Sequence, residues 1–272
     1  MTSEIGEPTW QNHHVSDDPV HEAFSRAADD RVHGAAEIEK RLISDLLFLR
    51  PSWTPEKLAM GAAHLTAAQP AMAALVGLAD RIASGEADDV QRWLEQRLEA
   101  LKLAPEALAA GAEPWIERAA VVVSISRSSA VAAVLEGAWR KGWAGTAAVL
   151  DGSSAGGGEG QAAALARSGT AVSQPDAAAP HWLDLPGCLV VVGADAVAPA
   201  EFLNCIGTRA LLELATARKV PVLLVADRGK DVPEEALMAL TEVIPRHREG
   251  SVREWPIFEV VPMDLVTARI SD

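Results

Sequence analysis

Positive charge is scarce in this chain. Its 272 residues carry 24 Lys and Arg against 38 Asp and Glu, a net charge of −14. That balance excludes a nucleic-acid partner, because phosphate backbones are held by a basic face. It disfavours docking on an anionic membrane for the same reason. A small anion is not excluded, since a few local donors suffice to hold one. Cysteine is nearly missing too. Cys188 and Cys205 are the only two, which rules out a disulfide framework and points to a reducing cytoplasm. No apolar run reaches membrane-spanning length, and the polar start lacks a signal-peptide core.

Apolar residues, by contrast, make up 49% of the chain. That is enough to bury one large core or two modest ones. The first half reads as helical. "AAEIEKRLISDLLFL" (35–49) puts Ile38, Leu42, Ile43, Leu46 and Leu47 on one stripe, with charges opposite. Thr54, Pro55 and Glu56 form a helix start: a cap, a proline at the first position and an acid in the first turn. Further apolar stripes run over 71–84 and 88–103. Residues 1–30 are polar and read as a loose arm. His13 and His14 in it lack a third ligand at useful spacing, so no metal is expected. Nor is a cofactor.

The second half alternates strands and helices. "AAVVVSIS" (119–126), "GTAAVLD" (145–151), "GTAVSQ" (169–174), "CLVVVGADA" (188–196) and "PVLLVAD" (221–227) are strand candidates. "SAVAAVLEGAWRKG", residues 161–167 and "IGTRALLELATARK" are helices between them, and "IFEVVP" (257–262) is one more candidate strand. Continuous Val/Leu strands separated by helices make an α/β fold with a parallel sheet covered on both faces. Three segments follow: an arm over 1–30, a helical domain over 31–104 and a sheet domain over 105–272.

In such sheets ligands sit beyond the carboxyl ends of the strands. Asp195 ends the strongest strand, Ser124 and Ser126 the first, Asp151 the second, and Asp227 the one before Lys230. Gly207-Thr208 opens a helix, where glycine permits close approach and free N–H groups favour an anion. The rim therefore suits a phosphorylated small molecule. Plainer readings stand beside this one: Asp195 can cap a turn, and Ser126 and Ser128 can satisfy backbone groups. Cys205, near a helix start, is expected to have a lowered pKa.

The motifs "GADAV" (193–197), "NCIGT" (204–208), "FEVVPMDLVTARI" (258–270), "VHGAAEIEKRL" (32–42) and "VSISRSSAVAAVL" (123–135) together resemble the initiation factor 2B alpha/beta/delta family. Methylthioribose-1-phosphate and ribose-1,5-bisphosphate isomerases belong to that family. The resemblance covers about 31–272. It implies a helical N-terminal domain on a Rossmann-like C-terminal domain, and a homodimer through the latter. It assigns isomerisation to an aspartate, here Asp195, and a cysteine, here replaced by Ser126. Its phosphate motif falls on His33, Gly34 and Ala35, with histidine where the family has arginine. Its Asn-Lys-x-Gly-Thr falls on Asn204, Cys205, Gly207 and Thr208, with Cys205 in place of lysine. Arg127 and Ser128 lie in the turn after the first strand, and Lys230 aligns with a family lysine. Lost cations and a lost thiol imply ligand binding without the usual chemistry. An isomerase using Asp195 with Ser126 or Cys205, and an assembly subunit with a decayed pocket, are the alternatives.

Overall fold

The computed structural model describes residues 18–30, 33–152, 157–244, 246–249 and 253–272. Five helices come first: α1 (Pro19–Asp29), α2 (Ala35–Phe48), α3 (Pro55–Ala68), α4 (Ala73–Ser84) and α5 (Ala87–Ile116). Part of the expected arm is thus a helix. Val20, Ala23, Phe24, Ala27 and Ala28 of α1 are buried at the i, i+3, i+4, i+7, i+8 spacing of one helical face. Asp18 caps it, its carboxylate accepting from Val20 N. Phe24 lies directly against Gly61 of α3, where a Cβ would collide with its ring. The polar residues of α1 face water and hide this pattern in the sequence. His13 and His14 lie outside the described residues. The start of α3 is as expected, with Thr54 Oγ1 accepting from Lys57 N.

The expected boundary at 104 falls inside α5, a continuous helix of 30 residues, about 45 Å long. Its Val90, Leu94 and Leu101 belong to the helical core. Its Leu108, Ala112 and Ile116 pack on the sheet with Val122, Val134 and Val149. Pro105 and Pro114 lie within it, and neither ends it, because packing on both sides offsets each lost hydrogen bond.

After α5 come β1 (Val121–Ile125), α6 (Ser129–Arg140), β2 (Thr146–Leu150), α7 (Gly157–Leu165), β3 (Thr170–Gln174), α8 (Ala179–Leu183), β4 (Cys188–Val192), β5 (Ala196–Val197), β6 (Glu201–Cys205), α9 (Thr208–Ala217), β7 (Val222–Val225), α10 (Glu234–Glu242), β8 (Arg246–Glu249), β9 (Arg253–Pro256), β10 (Phe258–Pro262) and β11 (Ala268–Ile270). The main sheet runs β11-β7-β4-β1-β2-β3, and every pairing in it is parallel. The strand leading to Asp195 is therefore interior, between β1 and β7.

"IFEVVP" is a strand but not of that sheet. As β10 it pairs antiparallel with β6, in a second sheet of order β10-β6-β5. The sixth parallel strand is β11, three residues long. The small sheet is itself a filling layer. Phe202, Val197 and Val261 point into the main core, while Ala196 and Leu203 pack with Ala73 of α4 and Leu237 of α10.

Candidate functional site

The carboxyl edge of the sheet is built from tight turns. Ser126, immediately after β1, has φ 57, a left-handed value that a non-glycine residue adopts at a cost. Its N–H donates to Leu150 O at 2.9 Å, which ties the turn to β2. Two glycines wall in its side chain. A Cβ at Gly157 would fall 2.7 Å from Ser126 Oγ, and one at Gly152 2.9 Å from Ser126 Cβ. Gly160 similarly leaves room for the Arg127 guanidinium. Gly152, Gly157 and Gly160 thus allow the close approach to the turn after β1. Ser128 caps α6, its Oγ accepting from Val131 N at 3.3 Å, and Gly193 at the end of β4 lets that hydroxyl pass.

Asp195 lies between β4 and β5, half-buried, its N–H donating to Leu203 O at 2.8 Å. Burial of the carboxyl raises its pKa, and the charge of Lys230 partly offsets this. Lys230 is itself buried and donates from Nζ to Ala194 O. Cys205 ends β6. Its thiol contacts Thr208 Oγ1 at 3.5 Å and feels Ser126, Asp195 and Glu259. These groups therefore share one neighbourhood, and Ser126, Asp195 and Cys205 come together as the motifs suggest.

Several expectations need correction. The Cys205 thiol is not lowered: burial first, then the Asp195 charge, push it up to about 12, despite hydrogen bonds from Thr208 and Ser126. The residue sits at the end of a buried strand, where desolvation outweighs the nearby helix start. The Thr208 hydroxyl points inward, donating to Cys205 O at 2.7 Å, while Asn204 Nδ2 donates to Thr208 Oγ1 at 3.0 Å. Thr208 and Asn204 thus spend these donors on each other and on the turn. Gly207, at φ +99, forms the left-handed entry to α9. The helix start is also not open: Arg209 N donates to Glu259 Oε1 at 3.0 Å.

Ser124 belongs to the opposite face of β1 from Ile125, the face of Val122 and the α6 side. Its hydroxyl is buried and has no hydrogen-bond partner among the described residues. His33 stays in the link between α1 and α2. Its Nδ1 lies 2.7 Å from Asp30 Oδ2, and its ring nitrogens lie 3.3 Å from Arg41. Gly34 caps α2 with its backbone alone, and Ala35 is buried in the helical core.

Some groups were not anticipated. Asp176, just past β3, accepts from Gly152 N at 2.9 Å, and its Oδ2 would lie 3.8 Å from a Cβ on Gly207. It therefore joins the rim from an edge strand. Beneath the rim runs a buried ionic bridge. Arg97 of α5 donates to both oxygens of Glu39 of α2, at 2.7 and 2.8 Å, and to Asp227 Oδ1 at 3.2 Å. The two carboxylates hold Arg97 protonated against burial and raise its pKa. In the sequence Glu39 and Arg97 were polar positions on helical stripes, 58 residues apart, and nothing local joins them.

A cleft of about 650 Å³ lies on the flank, lined by Lys40, Arg41, Leu101, Leu108, Ser129 and Asp227 among others. It belongs to the α2–α5–α6 junction, and its lining does not include Ser126, Asp195 or Cys205. The chemical candidates lie at the strand ends instead. No group of three or more His, Cys, Asp or Glu suited to a metal occurs among the described residues. No helix among them is long and apolar enough to cross a membrane.

Comparison with known proteins agrees with this architecture. The model of the Initiation factor 2 subunit family matches residues 27–272. No curated protein sequence matches. Among solved structures, the translation initiation factor eIF-2B of Pyrococcus horikoshii OT3 superposes with TM-score 0.79 at 20% identity, over 92% of this chain and 94% of that one. The tetrameric eIF2B-beta2-delta2 complex of C. thermophilum gives 0.74 at 18%, over 93% and 90%. The 5-methylthioribose 1-phosphate isomerase of Pyrococcus horikoshii OT3 gives 0.65 at 18%, over 92% and 82%. At these identities the likeness is one of fold.

Proposed function

Because the chain belongs to the Initiation factor 2 subunit family, we propose that it is a ligand-binding relative of the initiation factor 2B alpha subunit. It holds a sugar or nucleotide moiety at the strand carboxyl ends and does not isomerise it. One observation carries the second clause: the groups available for moving a proton there are poorly matched to neutral pH. Ser126 offers a hydroxyl where a thiol is needed, and the neighbouring thiol of Cys205 is pushed up to about 12. Asp195 alone is a plausible acid or base. The reading of a binding site is supported by the left-handed Ser126 walled by Gly152 and Gly157, since strain of this kind gathers at functional turns.

The test is an aldose–ketose assay with ribose-1,5-bisphosphate and methylthioribose-1-phosphate. Turnover is expected to be at or near background. Ser126→Cys should raise any trace, because a well-placed acid–base group contributes roughly 10²–10⁴-fold. Asp195→Asn should remove the trace. Robust turnover that survives Asp195→Asn defeats the account.

A second reading has an observation behind it. Cys205 lies in contact with Ser126 and within the field of Asp195, so the thiol could have moved rather than vanished. Turnover by the unaltered protein that disappears on Cys205→Ser would favour it.

A further inference from the structure

We propose that Arg97 is a positioning residue for the strand-end site: by holding Glu39 and Asp227 it leaves the buried Lys230 beside Asp195, and so ties the helical half of the molecule to the chemistry of that carboxyl. This rests on the reading that Asp195 serves a ligand at the strand ends. The cations Arg97 and Lys230 and the carboxylates Glu39, Asp227 and Asp195 act on one another where α2 and α5 meet the ends of β4 and β7. A charge taken out of water is tolerated only when it is paired. The fork of Arg97 serves two carboxylates at once, with Nε and one terminal nitrogen on Glu39 and that same nitrogen on Asp227. Lys230 is then left to Ala194 O, the carbonyl next to Asp195, and its charge favours the ionised form of that carboxyl. Lys230 also acts on Glu39. Without Arg97, Glu39 and Asp227 lose their shared partner, and Lys230 is the cation at hand to replace it.

The link is steric as well as electrostatic. Lys230 stands on the short turn Arg228–Lys230, which Asp227 caps: its Oδ1 accepts from Gly229 N at 3.1 Å as well as from Arg97. The guanidinium lies over Gly229, where a Cβ would collide with it. Lys230 N donates to Asp227 O at 3.1 Å. Arg97 therefore fixes the backbone from which Lys230 reaches Ala194. The titratable groups around Asp195 are Lys230, from this turn, and Cys205, from β6, with Glu259 of β10 acting on Cys205 in turn. Lys230 is the charge that acts on Asp195, and Arg97 reaches that carboxyl through it.

The test is the titration of the Asp195 carboxyl in the full chain, followed by magnetic resonance with labelled aspartate carboxyl carbons and identified by its loss in Asp195→Asn. Lys230→Met sets the scale and should move the titration to higher pH. Arg97→Ala should move it the same way. Arg97→Lys should move it less, since it keeps the charge and loses the fork. The combined Arg97→Ala, Lys230→Met protein should titrate like Lys230→Met alone, because the one residue acts through the other. A merely structural Arg97 gives a different pattern: an unmoved titration in Arg97→Ala, or a shift that adds in full to that of Lys230→Met. Either result overturns the proposal, and so does an unmoved titration in Lys230→Met. If Arg97→Ala does not fold, Arg97→Lys, alone and combined with Lys230→Met, decides on the same terms. The titration needs no ligand, so its outcome stands apart from the turnover assay that tests the strand-end site.

Discussion

Asp195 and Cys205 illustrate how far a residue's meaning can be taken from sequence. That Asp195 ends an interior strand was legible from the valine run before it. That its carboxyl is desolvated was not, because the valine run says nothing of what packs over the residue that follows it. A raised carboxyl pKa means the folded protein holds the proton longer than the unfolded chain. Stability is then full below the ordinary aspartate value, 3.8, and falls as pH rises towards the raised one. Asp195→Asn removes the titrating carboxyl and this loss with it. The variant should melt higher than the parent at pH 7 and nearly the same at pH 3, by scanning calorimetry. Both thiols should be inert while the protein is folded. Burial pushes Cys188 up to about 11 and Cys205 up to about 12, so the thiolate is a minor species even at pH 8.5. A colorimetric thiol reagent is expected to react with neither cysteine in native buffer and with both in denaturant. Fast labelling of Cys205 in the folded state would contradict its placement.

Elements were legible where their own residues carried the pattern. The Val/Leu strands β1, β2, β4 and β7 and the helices between them stand out, because each buries a continuous face. Those missed are held by partners distant in sequence. α1 depends on Gly61, β6 is a strand only because β10 and β5 flank it, and the three residues of β11 are ordered by β7. The ionic bridge of Glu39, Arg97 and Asp227 is the extreme case, since it joins α2, α5 and the end of β7. Removing its centre leaves two buried carboxylates unpaired. Arg97→Ala should therefore destabilise the protein by about 3–5 kcal/mol. A combined Arg97→Met, Glu39→Leu change should cost less than the single one, as read from urea midpoints. Equal cost would mean that the bridge contributes shape and not charge compensation.

At the scale of the whole molecule, the resemblance implies a pair of subunits, and the surface supports that expectation. β10 is an edge of the small sheet. Trp255, Ile257, Phe258 and Val260 around it are only half-buried, and Met238 on α10 is exposed. A half-buried, apolar strand edge is a liability unless something covers it. Sedimentation at micromolar concentration should give twice the mass of the 28.7 kDa chain. Glu substituted for Phe258 should shift it towards the single chain. A monomer at that concentration in the unaltered protein would defeat the expectation.

The two cores share a single beam. Since α5 enters the helical core with Val90 and leaves the sheet core with Ile116, no joint in the chain separates one half from the other. Cutting the gene at the apparent boundary would sever a packed helix in mid-span, so each piece is expected to expose an apolar face that the intact helix covers.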